Sequence, residues 1–253
     1  MDLRVRLSIV VAMLMLAACS DNATEHHSAR ANPRIVSDRC ADVIAYGARG
    51  QTQSSSANHG VGHEVLVSVD SLVAHLPRHS ATTVRLAAVR YPALPEATEA
   101  GYLRDIAIGR RLLTTSMAAD AKACPKSRFV VVGFSEGAQV VHETIAALPA
   151  TATKPIAAVA LLADPVRNPQ DPLTLEAYGT GPLDGRGSAG FGTPFAKQIR
   201  ARVITFCVAE DNVCNAPSGG RVGGISDAHR EFYEKASSAK VTGKHLADLV
   251  MTS

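Results

Sequence analysis

The sequence predicts a three-layer α/β domain with a central, mainly parallel five-stranded sheet covered by helices on both faces. Two observations predict it. Short apolar, strand-like runs recur along the chain, at residues 43–46, 84–89, 129–133, 156–162 and 203–207. Amphipathic segments with helical spacing separate these runs. Because buried strands that alternate with helices form parallel sheets covered on both sides, the alternation indicates one α/β domain.

The helical segments follow from the spacing of their apolar residues. Between the first and second strands the periodic positions are Val61, Val65, Val69, Leu72, Val73 and Leu76. Between the second and third strands they are Tyr102, Leu103, Ile106, Leu112 and Leu113. Residues 138–145 and 244–250 also have helical character. The chain shows no internal repeat and no second domain.

Residues 164–195 are the part of the chain whose structure the pattern does not predict. This segment is long, rich in Gly and Pro, and carries large apolar residues without a clear period. Such stretches in compact domains are functional loops or unrecognised elements. Two interpretations stay open: a packed surface loop, or a loop in which Leu173, Leu175 and Phe191 contact an acyl chain.

A five-residue motif, Gly133-Phe134-Ser135-Glu136-Gly137, is the main indication of chemistry. It follows a β-branched strand and precedes a helical segment, which is the setting of the G-x-S-x-G nucleophile elbow of α/β-hydrolases. Small residues on both sides of the serine allow a sharp turn that exposes its hydroxyl. The helix start places free N–H groups beside an oxygen that becomes negative during acyl transfer. The motif therefore predicts Ser135 as a nucleophile.

In α/β-hydrolases the acid and the histidine of the triad follow the serine along the chain. Three histidines do so here. His142 and His245 lie on helical segments and are interpreted as partly exposed helix residues. His229 lies at a loop-to-helix junction after a Gly-rich stretch, and loops at strand ends are where catalytic side chains are usually mounted. His229 is therefore the predicted base.

Three aspartates remain as candidates for the acid. Asp164 ends a strand-like run, and Asp227 is two residues from His229, where it can cap the following helix. Asp211 follows another strand and lies between Cys207 and Cys214, whose bonding would hold its carboxylate rigidly. Its neighbour Glu210 could substitute for it, or be an ordinary solvated charge.

Five blocks occur along the chain in the order of a known family: CADVIAYGARG at 40–50, ACP at 123–125, VGFSEGA at 132–138, DNVC at 211–214, and DAH at 227–229 followed by Tyr233. On these blocks the chain resembles the cutinase-like serine esterases over nearly all of residues 40–250. The resemblance implies an α/β-hydrolase fold with Ser135 as nucleophile, Asp211 as orienting acid and His229 as base. It also implies two disulfides, Cys40 with Cys124 and Cys207 with Cys214.

The resemblance further implies an oxyanion hole formed by the backbone N–H groups of Gln51 and Glu136. The family usually has a small hydroxyl residue at the first position and a glutamine at the second. Backbone N–H groups serve whatever the side chain is, so the hole should persist. A carboxylate beside a developing oxyanion opposes it unless it is paired or turned away.

The first 39 residues have the composition of a targeting segment. Arg4 and Arg6 precede an apolar run that ends in LAAC at 16–19. This pattern predicts a lipoprotein-type signal peptide at residues 1–18 and a lipidated Cys19, or alternatively an ordinary signal with an incidental cysteine. Residues 19–39 are polar and predict a flexible tether. Residues 40–253 form the hydrolase domain, and their four cysteines fit two disulfides in an oxidising compartment.

The sequence thus predicts a secreted, lipid-anchored serine esterase of the cell envelope that acts on acyl esters, lipids or cutin-like polyesters. Acyl transfer by the same chemistry, peptide hydrolysis, and a non-catalytic lipid-binding lipoprotein remain alternatives. No metal or organic cofactor is required. Membrane contact is expected through the anchor, and the protein is expected to be a monomer. A net charge of +3, 4% aromatic residues and no tryptophan give no support to nucleic-acid binding.

Overall fold

The fold is built on one parallel sheet. A computed structural model describes residues 34–95, 98–217 and 224–253. The described strands are β1 (Val43–Ala48), β2 (Val84–Ala88), β3 (Arg128–Phe134), β4 (Ile156–Leu162), β5 (Thr174–Glu176) and β6 (Val203–Phe206). They are arranged in the order β2-β1-β3-β4-β6-β5, and every neighbouring pair is parallel. The predicted parallel α/β fold is confirmed.

Within the described ranges the sheet has six strands rather than the five that the sequence predicted. The additional strand, β5, lies in the 164–195 segment and pairs with β6 through Leu175 and Thr205. It is three residues long and lies at the edge of the sheet, with Thr174 and Leu175 exposed. Such a short, exposed strand has no apolar run by which the sequence could reveal it.

Helices cover both faces of the sheet. The helices α1 (His63–His75) and α6 (Ala236–Thr252) pack on one face, and α2 (Glu99–Ala123) and α3 (Glu136–Ala146) on the other. Two short helices, α4 (Lys197–Arg200) and α5 (Asp227–Glu231), lie in the later connections. Alternate residues of each strand point to opposite faces, so Val43 joins the α1/α6 core and Ile44 the α2/α3 core. Three layers result, as the apolar strand runs indicated.

Both predicted disulfides are present. Cys40, just before β1, is bonded to Cys124 at the end of α2, with their Cα atoms 5.1 Å apart. Cys207, just after β6, is bonded to Cys214, with a Cα separation of 5.9 Å. The first closes a long stretch of chain, whereas the second closes a small loop at the carboxyl end of β6.

The described part of the predicted tether lies against the sheet. Ile35 forms a parallel bridge with Val84, and Arg34 and Val36 exchange backbone hydrogen bonds with the same residue. The predicted signal peptide and Cys19 fall outside the described residues. No helix in the described ranges is both long and apolar enough to cross a membrane.

Candidate active site

Ser135 lies on a tight turn between β3 and α3. Its backbone has φ 54° and ψ −122°, a strained conformation for a residue with a side chain. The turn depends on glycine at both ends. A Cβ at position 133 would lie 2.3 Å from the Gly137 carbonyl oxygen, and one at position 137 would lie 2.1 Å from the Ala48 carbonyl oxygen. The packing therefore excludes larger residues at both glycines, as expected for a nucleophile elbow.

His229 lies within hydrogen-bond distance of both other predicted triad residues. Its Nε2 is 3.0 Å from Ser135 Oγ, and its Nδ1 is 3.1 Å from each carboxylate oxygen of Asp211. The hydroxyl of Ser226 accepts a hydrogen bond from the His229 backbone N–H at 3.3 Å and caps α5. The Phe134 ring stacks on the imidazole with ring centroids 5.0 Å apart. The structure thus brings together the three residues that the sequence singled out.

Asp211 is fully buried in the small disulfide loop. Its Oδ1 accepts a hydrogen bond from the Val213 backbone N–H at 2.8 Å, and its Oδ2 accepts one from the Tyr233 hydroxyl at 2.7 Å. The backbone N–H of Asn215 donates to the Asp211 carbonyl oxygen at 2.8 Å. The carboxylate is therefore held from several sides, so it can orient an imidazole.

The loop after β1, which carries Gln51, packs against the start of α3. The backbone N–H of Gly50 donates to Gln53 Oε1 at 2.7 Å, and Gln53 Nε2 donates to Glu64 Oε2 at 2.6 Å. The backbone N–H of Thr52 donates to the Ala93 carbonyl oxygen at 2.8 Å. These bonds fix the backbone on either side of Gln51 next to the Ser135 turn.

Glu136, the first residue of α3, is 1% exposed. Burial raises the pKa of the Tyr91 hydroxyl well above its usual range, and the negative charge of Glu136 adds to this shift. The pKa of Tyr102 is also raised, first by burial and then by the negative charge of Glu136. The Glu136 side chain therefore lies in the interior on the α2/α3 side of the sheet, directly after the serine and close enough to Tyr91 and Tyr102 to influence both.

His142 is buried, which corrects the prediction that it is partly exposed. It is 2% exposed, its Nδ1 lies 2.6 Å from Asp164 Oδ2, and its Nε2 lies 3.0 Å from the Thr193 carbonyl oxygen. The Phe195 ring lies against the imidazole with centroids 4.6 Å apart. The 164–195 segment covers this side of α3, and the helical pattern alone could not reveal that cover.

The remaining candidates lie apart from the Ser135–His229–Asp211 group. His245 is half-exposed and its Nε2 lies 3.0 Å from Glu176 Oε2. Asp227 begins α5 but does not cap it, because Ser226 takes that role. Glu210 is exposed, in line with a solvated charge. None of the three contacts Ser135 or His229 by a hydrogen bond within the described residues.

The 164–195 segment is ordered by backbone hydrogen bonds at the carboxyl edge of the sheet. The N–H groups of Gly187, Ala189 and Gly192 bond to carbonyl oxygens of residues 165–167, and that of Ser188 bonds to the Val213 carbonyl oxygen. Leu173 and Leu175 line a small cavity of about 90 Å³ that also includes His142 and Thr205. Ser135 does not line this cavity. Phe191 is 60% exposed at the surface.

Sequence reasoning missed two side chains that pack around the group. Phe134 lies within the serine motif and Tyr233 follows the predicted histidine, but the sequence pattern assigned neither side chain a role in the site. The spacing of Tyr233, about one helical turn after His229, was the available signal that both could face Asp211.

A parallel sheet with helices on both faces and a serine on a strand-to-helix elbow defines an α/β-hydrolase. The chain belongs to the cutinase family, whose family model matches residues 39–242. It is a carboxylic ester hydrolase, as are the relatives it matches. A cutinase of Botryotinia fuckeliana is 30% identical over 132 residues, which are 52% of this chain and 60% of that protein. Carboxylesterase Culp1 of Mycobacterium tuberculosis is 27% identical over 185 residues, 73% of each chain.

Solved structures share the fold. A cutinase-like protein from Cryptococcus sp. superposes with a TM-score of 0.67 at 15% identity, covering 84% of this chain and 97% of that one. The catalytic core domain of acetyl xylan esterase from Trichoderma reesei gives a TM-score of 0.63 at 17% identity, covering 84% and 98%. At these identities the likeness concerns the fold alone.

Proposed function

We propose that this protein hydrolyses carboxylic esters through an acyl-enzyme formed on Ser135. The observation that carries the proposal is the unbroken hydrogen-bonded series from Ser135 Oγ through His229 to the buried Asp211. A serine hydroxyl becomes a nucleophile when an adjacent base takes its proton, and the base works when a third group orients it. Here Ser135 fits the role of the nucleophile, His229 that of the base and Asp211 that of the orienting group.

In the proposed reaction Ser135 Oγ attacks the ester carbonyl carbon while His229 Nε2 takes the hydroxyl proton. The tetrahedral intermediate collapses, the carbon–oxygen bond to the alcohol breaks, and His229 returns the proton to the leaving alcohol. Water then attacks the acyl-enzyme by the same route and releases the carboxylic acid and free Ser135. Asp211 holds the imidazole in the tautomer that accepts the proton and stabilises the imidazolium.

We assign the oxyanion hole to the backbone N–H groups of Gln51 and Glu136. The support is that the loop carrying Gln51 packs against the start of α3, where the N–H of Glu136 belongs to the first turn. First-turn N–H groups have no partner within their own helix and carry the positive end of its dipole. Neither donor depends on the side chain at its position.

The proposed substrates are acyl esters, including lipids and cutin-like polyesters. The names of the relatives, cutinase and carboxylesterase, support this class. The proposed location is outside the cell, with lipid attached to Cys19 as the membrane contact. Two disulfides support an oxidising compartment.

Turnover of p-nitrophenyl esters of increasing acyl length tests the proposal. The purified wild-type protein should hydrolyse them, and Ser135→Ala should lower kcat by about 10⁴-fold or more. Ser116→Ala, at an exposed serine on α2, is the control and should leave kcat unchanged. A correctly disulfide-bonded wild type without turnover would instead favour a binding lipoprotein. Ester products formed with an added alcohol would favour acyl transfer.

A further inference from the structure

Tyr233 is the buried tyrosine that contacts the acid of the proposed triad. It follows α5 and lies four residues after His229, so one short segment carries both side chains. Tyr233 is 2% exposed, and its hydroxyl lies 2.7 Å from Asp211 Oδ2. The same hydroxyl lies 3.5 Å from Cys214 Sγ of the small disulfide.

The direction of this hydrogen bond is fixed by chemistry. An ionised carboxylate only accepts, so the phenol must donate. Burial raises the pKa of Tyr233 well above its usual range, and the charge of Asp211 raises it further. The hydroxyl therefore remains a donor throughout the pH range in which an esterase works, and a donor to a charged group forms a stronger bond than one to a neutral group.

The bond completes the set of contacts that fix the Asp211 carboxylate. The Val213 N–H holds Oδ1, the Tyr233 hydroxyl holds Oδ2, and His229 Nδ1 lies 3.1 Å from each oxygen. Without the hydroxyl, the imidazole would be the only remaining hydrogen-bond partner of Oδ2 among the described residues. A buried carboxylate that loses a donor keeps its charge with less stabilisation, and its orientation is less restrained.

A second contact joins Tyr233 to the histidine through an aromatic ring. Tyr233 and Phe134 have ring centroids 5.7 Å apart, and Phe134 stacks on His229 at 5.0 Å. Phe134 also directly precedes Ser135. The Tyr233 hydroxyl thus contacts Asp211, and the Tyr233 ring lies against Phe134, which in turn stacks on His229.

We propose that Tyr233 is a positioning residue of this active site, which fixes Asp211 and moderates how strongly that carboxylate attracts a proton on His229. The inference rests on the proposed function of Ser135, Asp211 and His229. Tyr233 touches neither substrate nor the reacting atoms, so its effect on the reaction passes through Asp211.

The test is Tyr233→Phe, which removes one oxygen and keeps the ring. Loss of a donor to Asp211 leaves more negative charge facing His229, so the imidazolium is favoured. The acid limb of the kcat/KM profile should therefore move to higher pH, and kcat at neutral pH should fall by about ten-fold with KM within about two-fold. Ester turnover measured from pH 5 to 9 gives all three quantities.

Tyr46→Phe is the matched control. Tyr46 is 1% exposed and its hydroxyl donates to Asp120 Oδ2 at 2.8 Å, so the same chemical change breaks an equivalent buried bond. That bond joins β1 to α2 and does not involve the triad. The control should lower the melting temperature and leave the pH profile of kcat/KM in place.

The outcomes separate the two claims. If wild type hydrolyses esters in a Ser135-dependent way and Tyr233→Phe keeps the wild-type kcat and pH profile, the positioning role is wrong and the proposed function stands. If both tyrosine variants lose kcat equally without moving the acid limb, the effect is one of stability and the inference is again wrong. If wild type shows no Ser135-dependent turnover, the proposed function itself fails.

Discussion

The side chain directly after the serine is a buried carboxylate in this chain. Glu136 is 1% exposed, and its charge contributes to raising the pKa values of Tyr91 and Tyr102. A negative charge in the interior beside the proposed oxyanion hole opposes the charge that develops during acyl transfer, because such sites screen charges poorly.

Replacing Glu136 by glutamine should therefore raise kcat. The variant keeps the backbone N–H and the size of the side chain, and we expect an increase of about ten-fold with little change in KM. Glu143→Gln, on the same helix and bonded to Gln139 and Arg110, is the control and should not alter kcat. An unchanged or lower kcat in Glu136→Gln would show that the carboxylate does not oppose the reaction.

At the same scale, the sequence predicted Ser135 from its glycine-flanked motif between a strand and a helix, and His229 from chain order and loop position. The structure brings both together with Asp211. The hydrogen bond from Tyr233 to Asp211 could not be predicted, because it joins side chains 22 positions apart whose orientation depends on the disulfide loop. His142 was misjudged for a related reason, since the segment that buries it follows much later in the chain.

At the scale of elements, a buried ion pair joins α3 to the 164–195 segment. His142 Nδ1 faces Asp164 and Nε2 faces the Thr193 carbonyl oxygen, both of them acceptors, so both ring nitrogens carry protons. Burial lowers the pKa of His142, but the charge and hydrogen bond of Asp164, the Thr193 carbonyl and the charge of Asp171 raise it, and the net shift is upward. Helix and segment are thus held together by a charged contact.

The upward shift fixes the sign of a pH effect on stability. A group whose folded pKa is raised stabilises the fold fully below its unfolded pKa, about 6.5 for histidine, and the stabilisation is lost as pH rises through the folded value. We expect the melting temperature of wild type to fall as pH rises above about 6.5 through this range. His142→Gln should unfold about 3 kcal/mol more easily at pH 6, because it leaves Asp164 buried without its cation.

Thermal melts from pH 5.5 to 9 measure both effects. His245→Gln is the control, because its half-exposed pair with Glu176 should contribute less than about 1 kcal/mol. If wild type and His142→Gln lose stability in parallel as pH rises, the pair is not the source of the pH dependence.

A strand or helix could be predicted where its apolar residues recur at a regular spacing over several residues. The five predicted strands and the long helices appear at the expected places, because each buries a whole face or stripe. β5 and the 164–195 segment were not predictable in this way. They are held by backbone hydrogen bonds to residues 165–167 and 204–216, which leave no periodic trace in the sequence.

At the scale of the whole molecule, the parallel sheet gathers the site at one edge. Gln51, Ser135 and Asp211 each follow the carboxyl end of a parallel strand, namely β1, β3 and β6. Carboxyl ends of parallel strands meet at one edge of a sheet, so the predicted topology already implied that these residues would be neighbours. The two disulfides act on different parts of this arrangement.

Removing each disulfide in turn should separate a large loss of stability from a loss of activity. Loss of the Cys40–Cys124 bond, which closes 84 residues, should cost about 4 to 5 kcal/mol of unfolding free energy and leave kcat near wild type. Loss of the Cys207–Cys214 bond should cost only about 2 to 3 kcal/mol but lower kcat, since its loop carries Asp211. Two variants, each with both cysteines of one disulfide replaced by serine, allow the test. Thermal melting measures their stability and ester turnover measures their kcat. A lower kcat confined to the Cys40–Cys124 variant would contradict this division.

The measurement that tests the central claim most directly is the reaction of the purified, disulfide-bonded protein with a fluorophosphonate probe, with the labelled residue located by peptide mass. The account predicts one label per protein, carried by Ser135, with Ser135→Ala unlabelled and His229→Ala labelled far more slowly. A label on another residue, or equal labelling of wild type and Ser135→Ala, would contradict the assignment of Ser135 as the nucleophile.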